Sequence, residues 1–195
     1  MELAPRRVPG CWDDGFALDL HTRASEFLGY DEYGHAQFDT TRTELGELLY
    51  KLKYKRDQSA IAPIAQAAAD FVRSWNPGVD VIVPAPPSRS RAFQPLFQIA
   101  DEMGRLLSLP VDKQSVRKTR ETPELKDVFD YSKRLEILDG THSVDSEVLR
   151  GLGILLLDDL YRSGATLNAV ARILRDDGGA SAVFALTLTR TRSSS

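Results

Sequence analysis

A chain of 195 residues with 25 Lys and Arg against 28 Asp and Glu carries a net charge of −3, which suits one domain with a full core and argues against a generally basic nucleic-acid binder. Its one cysteine, Cys11, excludes internal disulfides and a Cys-rich zinc module. No apolar run approaches the roughly twenty residues of a membrane span and no signal-peptide pattern opens the chain, so a cytoplasmic protein is the expectation.

In chain order, residues 1–10 are polar and Pro-containing and read as a loose tail. Residues 11–42 alternate short strand-like pieces with turn residues. Gly29 and Gly34 punctuate them, and Trp12, Phe16, Tyr30, Tyr33 and Phe38 are interspersed, as in a small antiparallel hood outside the main sheet. A core spans residues 43–190. Leu45, Leu48, Leu49 and Leu52 share one helical face. Ile61, Ile64, Ala65, Ala68, Phe71 and Val72 share another, stopped by Asn76-Pro77-Gly78. Val79 to Val83 is a short buried strand closed by Pro84-Ala85-Pro86-Pro87. Phe93, Leu96, Phe97, Ala100, Met103 and Leu107 line the next helix, with Pro95 tolerable in its first turn.

Strand-like pieces follow near Val111 and Val116, then a charged, weakly patterned segment from Glu121 to Leu138. Long connections of that kind in a compact domain are functional or disordered. A mobile lid carrying Lys126, Lys133 and Arg134 is expected there, against the alternatives of a surface loop or a short amphipathic helix. After Gly178-Gly179, Ser181 to Leu188 returns as a strand, and residues 191–195 form a tail. Alternating strands and helices predict an α/β fold, a right-handed parallel sheet covered on both faces.

The most informative stretch is Ile154-Leu155-Leu156-Leu157-Asp158-Asp159-Leu160-Tyr161-Arg162-Ser163-Gly164-Ala165-Thr166. Four aliphatic residues read as a strand buried on both faces. They run into two adjacent carboxylates, a Ser/Gly/Thr turn and an amphipathic helix from Leu167 to Arg175. Backbone N–H groups of residues 163–166 are unpaired at a helix start, where an anion is favoured. Carboxylates accept from a vicinal diol while the amides hold a phosphate, and a ribose 5-phosphate has that shape. A strand end that merely caps the next helix is the plainer alternative. A Walker-type loop fails because no Lys precedes Thr166, and a dinucleotide fingerprint fails because Gly151-Leu152-Gly153 precedes its strand.

This motif resembles the phosphoribosyl-pyrophosphate (PRPP) loop of type I phosphoribosyltransferases, and within them the ComF-type family. The resemblance implies that Asp158 and Asp159 are the catalytic pair holding the ribose hydroxyls, and that Arg162, Ser163, Gly164, Ala165 and Thr166 wrap the 5-phosphate. The Val81–Arg91 stretch is similar to the family's pyrophosphate loop. On that likeness Ala85 and Pro86 present backbone to pyrophosphate, and Arg89 or Arg91 neutralises it through a rigid fork. Lys118, in Arg117-Lys118-Thr119-Arg120, resembles a basic residue that reaches pyrophosphate beside a mobile loop. Lys53 matches a lysine near the end of the family's first core helix, with ordinary solvated surface the equal alternative for the cluster of Lys51, Lys53, Lys55 and Arg56.

The resemblance further implies Mg²⁺ as cofactor, arriving with PRPP and touching Asp158 if any side chain, together with a nitrogenous acceptor, a nucleobase or amine, chosen by the hood. A homodimer is open. The alternative is a PRPP-binding sensor or DNA-uptake accessory without turnover. Three departures stand out. Ala92-Phe93-Gln94-Pro95 replaces a Gly-Phe-Asn-Gln, Leu125-Lys126 replaces an expected Gln, and the cysteine-pair zinc finger of many ComF-type chains is missing. His21, His35 and His142 lack metal-ligand spacing and read as surface or turn residues.

Overall fold

The computed structural model describes residues 1–87, 93–120, 131–138 and 140–192. Its centre is a five-stranded sheet in the order β1-β2-β9-β8-β5, built from β1 (Arg6–Arg7), β2 (Asp14–Leu20), β5 (Val81–Pro84), β8 (Gly153–Tyr161) and β9 (Ala182–Arg190). All neighbouring pairs are parallel except β1 with β2. Successive side chains of a strand point to opposite faces, and the apolar run of β8 divides accordingly. Leu155 and Leu157 enter the core beneath α1 (Glu44–Tyr50), α2 (Ile61–Trp75) and α3 (Pro95–Leu107), while Ile154 and Leu156 enter the core beneath α6 (Ala165–Asp176). All four are fully buried, which is why the run shows no polar alternation.

Two expectations for the N-terminal region change. Residues 6–7 are not part of a loose tail but add an edge to the sheet, and Val8 is buried behind them. Residues 14–20 leave the hood and join the main sheet, β2 pairing parallel to β9 from Asp14↔Phe184 to Leu20↔Arg190. The alternation of Phe16, Leu18 and Leu20 fits a hairpin strand as well as a sheet strand, and only the distant partner decides. What stands apart is the hairpin of β3 (Thr22–Tyr30) and β4 (Ala36–Arg42), with Phe27, Leu28, Tyr30, Tyr33 and Phe38 exposed.

Helix α1 is joined to this frame at the end of β2. Thr43 caps it by accepting from the Gly46 N–H and donating to the Leu20 carbonyl, a cap worth about 1 kcal/mol. Gly46 is required there because a Cβ would collide with the His21 carbonyl. After Tyr50 the chain widens into a π-helical turn, Lys51–Lys55, closed by Arg56 in the left-handed region at φ 57°.

A second pair, β6 (Val116–Lys118) and β7 (His142–Val144), is antiparallel. Of the expected lid, residues 121–130 lie outside the described residues, and the remainder forms α4, Tyr131–Leu138. The short α5 (Ser146–Leu149) precedes β8. Among the described residues no helix is long and apolar enough to cross a membrane.

Candidate functional site

Strand β8 continues past its aliphatic run, so Asp158 and Asp159 are still strand residues and point to opposite faces at the carboxyl end of the sheet. Open α/β sheets bind ligands at that end. Asp158 accepts the Asp159 N–H at 2.8 Å. Burial, followed by the neighbouring Asp159 charge, pushes the Asp158 carboxyl up to about 7, against the opposing pull of the Asp159 amide and Lys53. Asp159 is held by Lys53, whose Nζ lies 2.5 Å from its carboxylate. Burial works against the Lys53 charge, but Asp159, with Asp158 behind it, outweighs that cost and raises the lysine above its usual value.

The π-helical turn supplies this contact. Widened turns of this kind recur at functional sites, and here the turn carries Lys53 to the sheet end. The basic cluster had no stronger sequence claim than its solvated alternative, and structure separates Lys53 from Lys51 and Lys55. His21 was also missed. Its Nδ1 lies 3.2 Å from Thr189 Oγ1, which donates to the Asp159 carbonyl. Burial, then Lys53 and Arg42, hold this imidazole below its ordinary pKa. No spacing in the sequence could have indicated it, because the partners are 168 residues apart.

Beyond Tyr161 the loop turns at Gly164, φ 74°, which is the N-cap of α6. The first bond into the helix runs from the Asn168 N–H to the Gly164 carbonyl, so the amides of Ala165, Thr166 and Leu167 have no partner within the helix. A cavity of about 210 Å³ is lined by residues 158–167, bringing Arg162, Ser163, Gly164, Ala165 and Thr166 around one space beside both carboxylates. A second cavity, of about 330 Å³, joins Lys53, Asp158, Asp159 and Thr166 to Ala85, Pro86 and Pro87. The strand-end turn and the acidic pair thus meet, although about seventy residues separate them.

The turn meets the site differently from the backbone role implied for it. Ala85 is buried and its N–H donates to the Leu157 carbonyl at 2.8 Å. Pro86 and Pro87 have no N–H. Backbone donation to an anion from this loop therefore has to come from beyond Pro87, where Arg89 and Arg91 lie outside the described residues. Lys118 sits on β6 opposite His142, and neither cavity is lined by it. Burial, and then the Lys118 charge, lower the His142 ring to about 4.

The raised Asp158 pKa has a consequence for stability. Between its ordinary value near 3.8 and the folded value of about 7, the native state keeps a proton that the unfolded chain releases. Stability from this group therefore falls as pH rises through that window. Asp158→Asn is expected to melt higher than the parent at pH 8 and alike at pH 4. The gain is about 2 kcal/mol, below the ~4 kcal/mol that the full shift represents because the Asp158 side chain keeps part of its contact with solvent. Melting curves across pH check this, and a variant no more stable at pH 8 would refute the buried-carboxyl assignment.

Comparison with known proteins adds the following. The chain is 30% identical over 148 residues to competence protein ComFC of Bacillus subtilis (strain 168), an alignment covering 74% of this chain and 59% of that protein. It therefore spans less than two thirds of that relative's length. No family model matches. Among solved structures, it is similar to an adenine phosphoribosyl transferase from Trypanosoma brucei in complex with AMP, pyrophosphate and ribose-5-phosphate, at TM-score 0.51 and 11% identity over 97% of this chain and 87% of that one. An adenine phosphoribosyltransferase from Thermoanaerobacter pseudethanolicus gives TM-score 0.46 and 16% identity over 83% and 92%. At such identities the likeness concerns the fold.

Proposed function

We propose that this protein, a ComF-type chain with the type I phosphoribosyltransferase fold, binds PRPP with magnesium and transfers its ribose 5-phosphate to a nitrogenous acceptor, releasing pyrophosphate. The observation that carries this reading is the meeting of Asp158, Asp159, Thr166 and the Ala85–Pro87 turn around one cavity. Asp158 and Asp159 accept from the ribose diol. Lys53 fixes the Asp159 carboxylate and leaves the pair less repelled. The amides of residues 165–167, with Ser163 and Thr166, receive the 5-phosphate, and Arg162 adds charge. No side chain needs to act as nucleophile, because the acceptor nitrogen attacks the anomeric carbon as pyrophosphate leaves. The protein positions the partners and stabilises developing charge.

Among the described residues no three His, Cys, Asp or Glu side chains are grouped to hold a metal. Two adjacent carboxylates completed by phosphate oxygens suit magnesium, so the residues fit an ion that arrives with the ligand, Asp158 being its protein contact. Bound there, it would neutralise charge on the departing pyrophosphate.

A second reading, PRPP binding without turnover, is favoured by one feature. Gln94-Pro95 stands where the resembled family has Asn-Gln, and Pro95 removes a backbone N–H in the first turn of α3. The relative's name, a competence protein, is compatible with either reading. Binding is tested by thermal denaturation. At 100 times its dissociation constant PRPP with magnesium should stabilise the fold by about 2.7 kcal/mol, a rise of roughly 5–10 °C for a chain this size. No shift at saturating ligand would refute both readings. Pyrophosphate release from labelled PRPP, screened over nucleobases, separates them.

A further inference from the structure

We propose that a second, strongly cationic cavity, which adjoins the ribose 5-phosphate loop and shares Tyr161 and Arg162 with it, takes a compact oligophosphate group. This cavity, of about 410 Å³, lies between residues 6–9 and the residues that leave β8 and β9, and Arg6, Arg7, Arg162, Arg190 and Arg192 line it with no acidic residue among the lining. Its frame is built, not incidental. The Tyr161 hydroxyl donates to the Pro9 carbonyl at 3.0 Å, and the Thr191 N–H donates to the Tyr161 carbonyl at 3.0 Å.

The arginines differ in how they are matched. Arg7 is 3.3 Å from Asp14 and its guanidinium lies over Phe16, so its charge is already answered. Among the described residues, Arg190 and Arg192 donate to backbone carbonyls alone, of Thr191 and Arg23. These bonds place the guanidinium groups without neutralising them. The Arg6 and Arg162 guanidinium groups make no hydrogen bond or ion pair among the described residues. Four unneutralised guanidinium groups around one cavity repel each other, and a multivalent anion relieves that repulsion.

The charge decides the class of ligand. One phosphate group brings about two negative charges at most, which leaves half of this set unmatched, whereas a linked di- or triphosphate matches it. Arginine forks suit phosphate oxygens bidentately. The volume falls in the roughly 300–1,000 Å³ range of small-molecule sites. Single-stranded nucleic acid wants an extended groove with open aromatic faces. Among the described residues the aromatic ring in the lining is Tyr161, which is fixed by Pro9 and packs edge-on against Trp12 at 6.5 Å.

The test is calorimetric titration of the full chain with inorganic tripolyphosphate in magnesium-free buffer. It compares the parent, Arg6→Gln with Arg192→Gln, and Thr166→Glu, which puts a carboxylate into the 5-phosphate loop at a position outside the arginine lining. Both varied arginines are exposed, and melting curves verify folding. An Arg6→Lys, Arg192→Lys pair keeps the charge while removing the forks. The expected result is binding in the parent, weakened about tenfold or more in the glutamine pair, intermediate in the lysine pair and retained in Thr166→Glu. Binding lost in Thr166→Glu but unchanged in the glutamine pair would assign the anion to the ribose 5-phosphate loop and overturn the second site. No binding by the parent would also overturn it. So would a twelve-residue oligothymidylate that binds through Arg6 and Arg192 where tripolyphosphate does not, since the surface would then be a nucleic-acid contact.

Discussion

Replacing Asp158 and Asp159 together by asparagine is expected to weaken PRPP binding by about a hundredfold or more, while the melting temperature at pH 7.5 moves by only a few degrees. Each amide keeps the shape of the carboxylate and one acceptor oxygen, but its NH₂ cannot accept from a ribose hydroxyl. Hydrogen bonds to charged groups contribute about 1.5–3 kcal/mol each, so losing two exceeds the 1.4 kcal/mol of a tenfold change severalfold. The stability side is a near-cancellation. Asp158→Asn removes a carboxyl whose ionisation is disfavoured by burial and by its neighbour. Asp159→Asn removes the partner of Lys53 at 2.5 Å and leaves a partly buried ammonium less well matched. The two changes have opposite signs. Calorimetric titration with magnesium-PRPP beside a melting curve checks both halves. Undiminished affinity would place the ribose elsewhere, and an unfolded double variant would show that the Lys53 pair dominates.

Gly164→Val is expected to lower the melting temperature by roughly 5–15 °C, the equivalent of about 2–4 kcal/mol in a chain of this size, and to abolish ribose 5-phosphate binding. Gly164 has φ 74°, a region costing about 1–2 kcal/mol for an L side chain and more for a β-branched one. A Cβ there would also lie 2.8 to 3.0 Å from two ring carbons and the hydroxyl oxygen of Tyr161. That ring cannot retreat freely, because its hydroxyl is bonded to Pro9 and its edge rests on Trp12. The loop itself has to move, and with it the amides at the start of α6. Gly164→Ala should show the same direction with a smaller fall. A valine variant that melts with the parent would mean the turn does not hold this conformation in solution.

The Gly164 effect was legible in outline, since a Ser-Gly-Ala-Thr turn between a buried strand and an amphipathic helix needs backbone freedom at its tightest point. What could not be read was the wall behind it. Tyr161 is set by residues 9 and 12, more than 140 positions away in the chain, and no local pattern encodes such a contact. The same contrast separates the two members of the acidic pair. Their adjacency at a strand end is a sequence fact. That Asp158 is held near 7 by burial while Asp159 is paired with Lys53 depends on what packs over each.

The order of the long elements from Glu44 to Leu107 and from Gly153 to Arg190 follows from periodicity, because helices and strands announce themselves through residues three to four or two apart, whereas α4, β7 and α5 between them were not read. Ile154 to Leu157 determines a strand buried on both faces, and the turn after Asp159 determines a helix start suited to an anion. Tertiary structure decided the rest. It drew β2 out of the expected hood and into the sheet beside β9, a parallel pairing across some 170 residues that no hairpin turn specifies. It took the Ala85 N–H for Leu157, carried Lys53 to Asp159 through a π-helical turn, and gathered arginines from both ends of the chain around one cavity. The physical reason is common to all four. A local pattern records which face of an element is apolar, whereas the partner of a buried hydrogen-bonding group or a charge is chosen by which distant segment the closed sheet brings beside it.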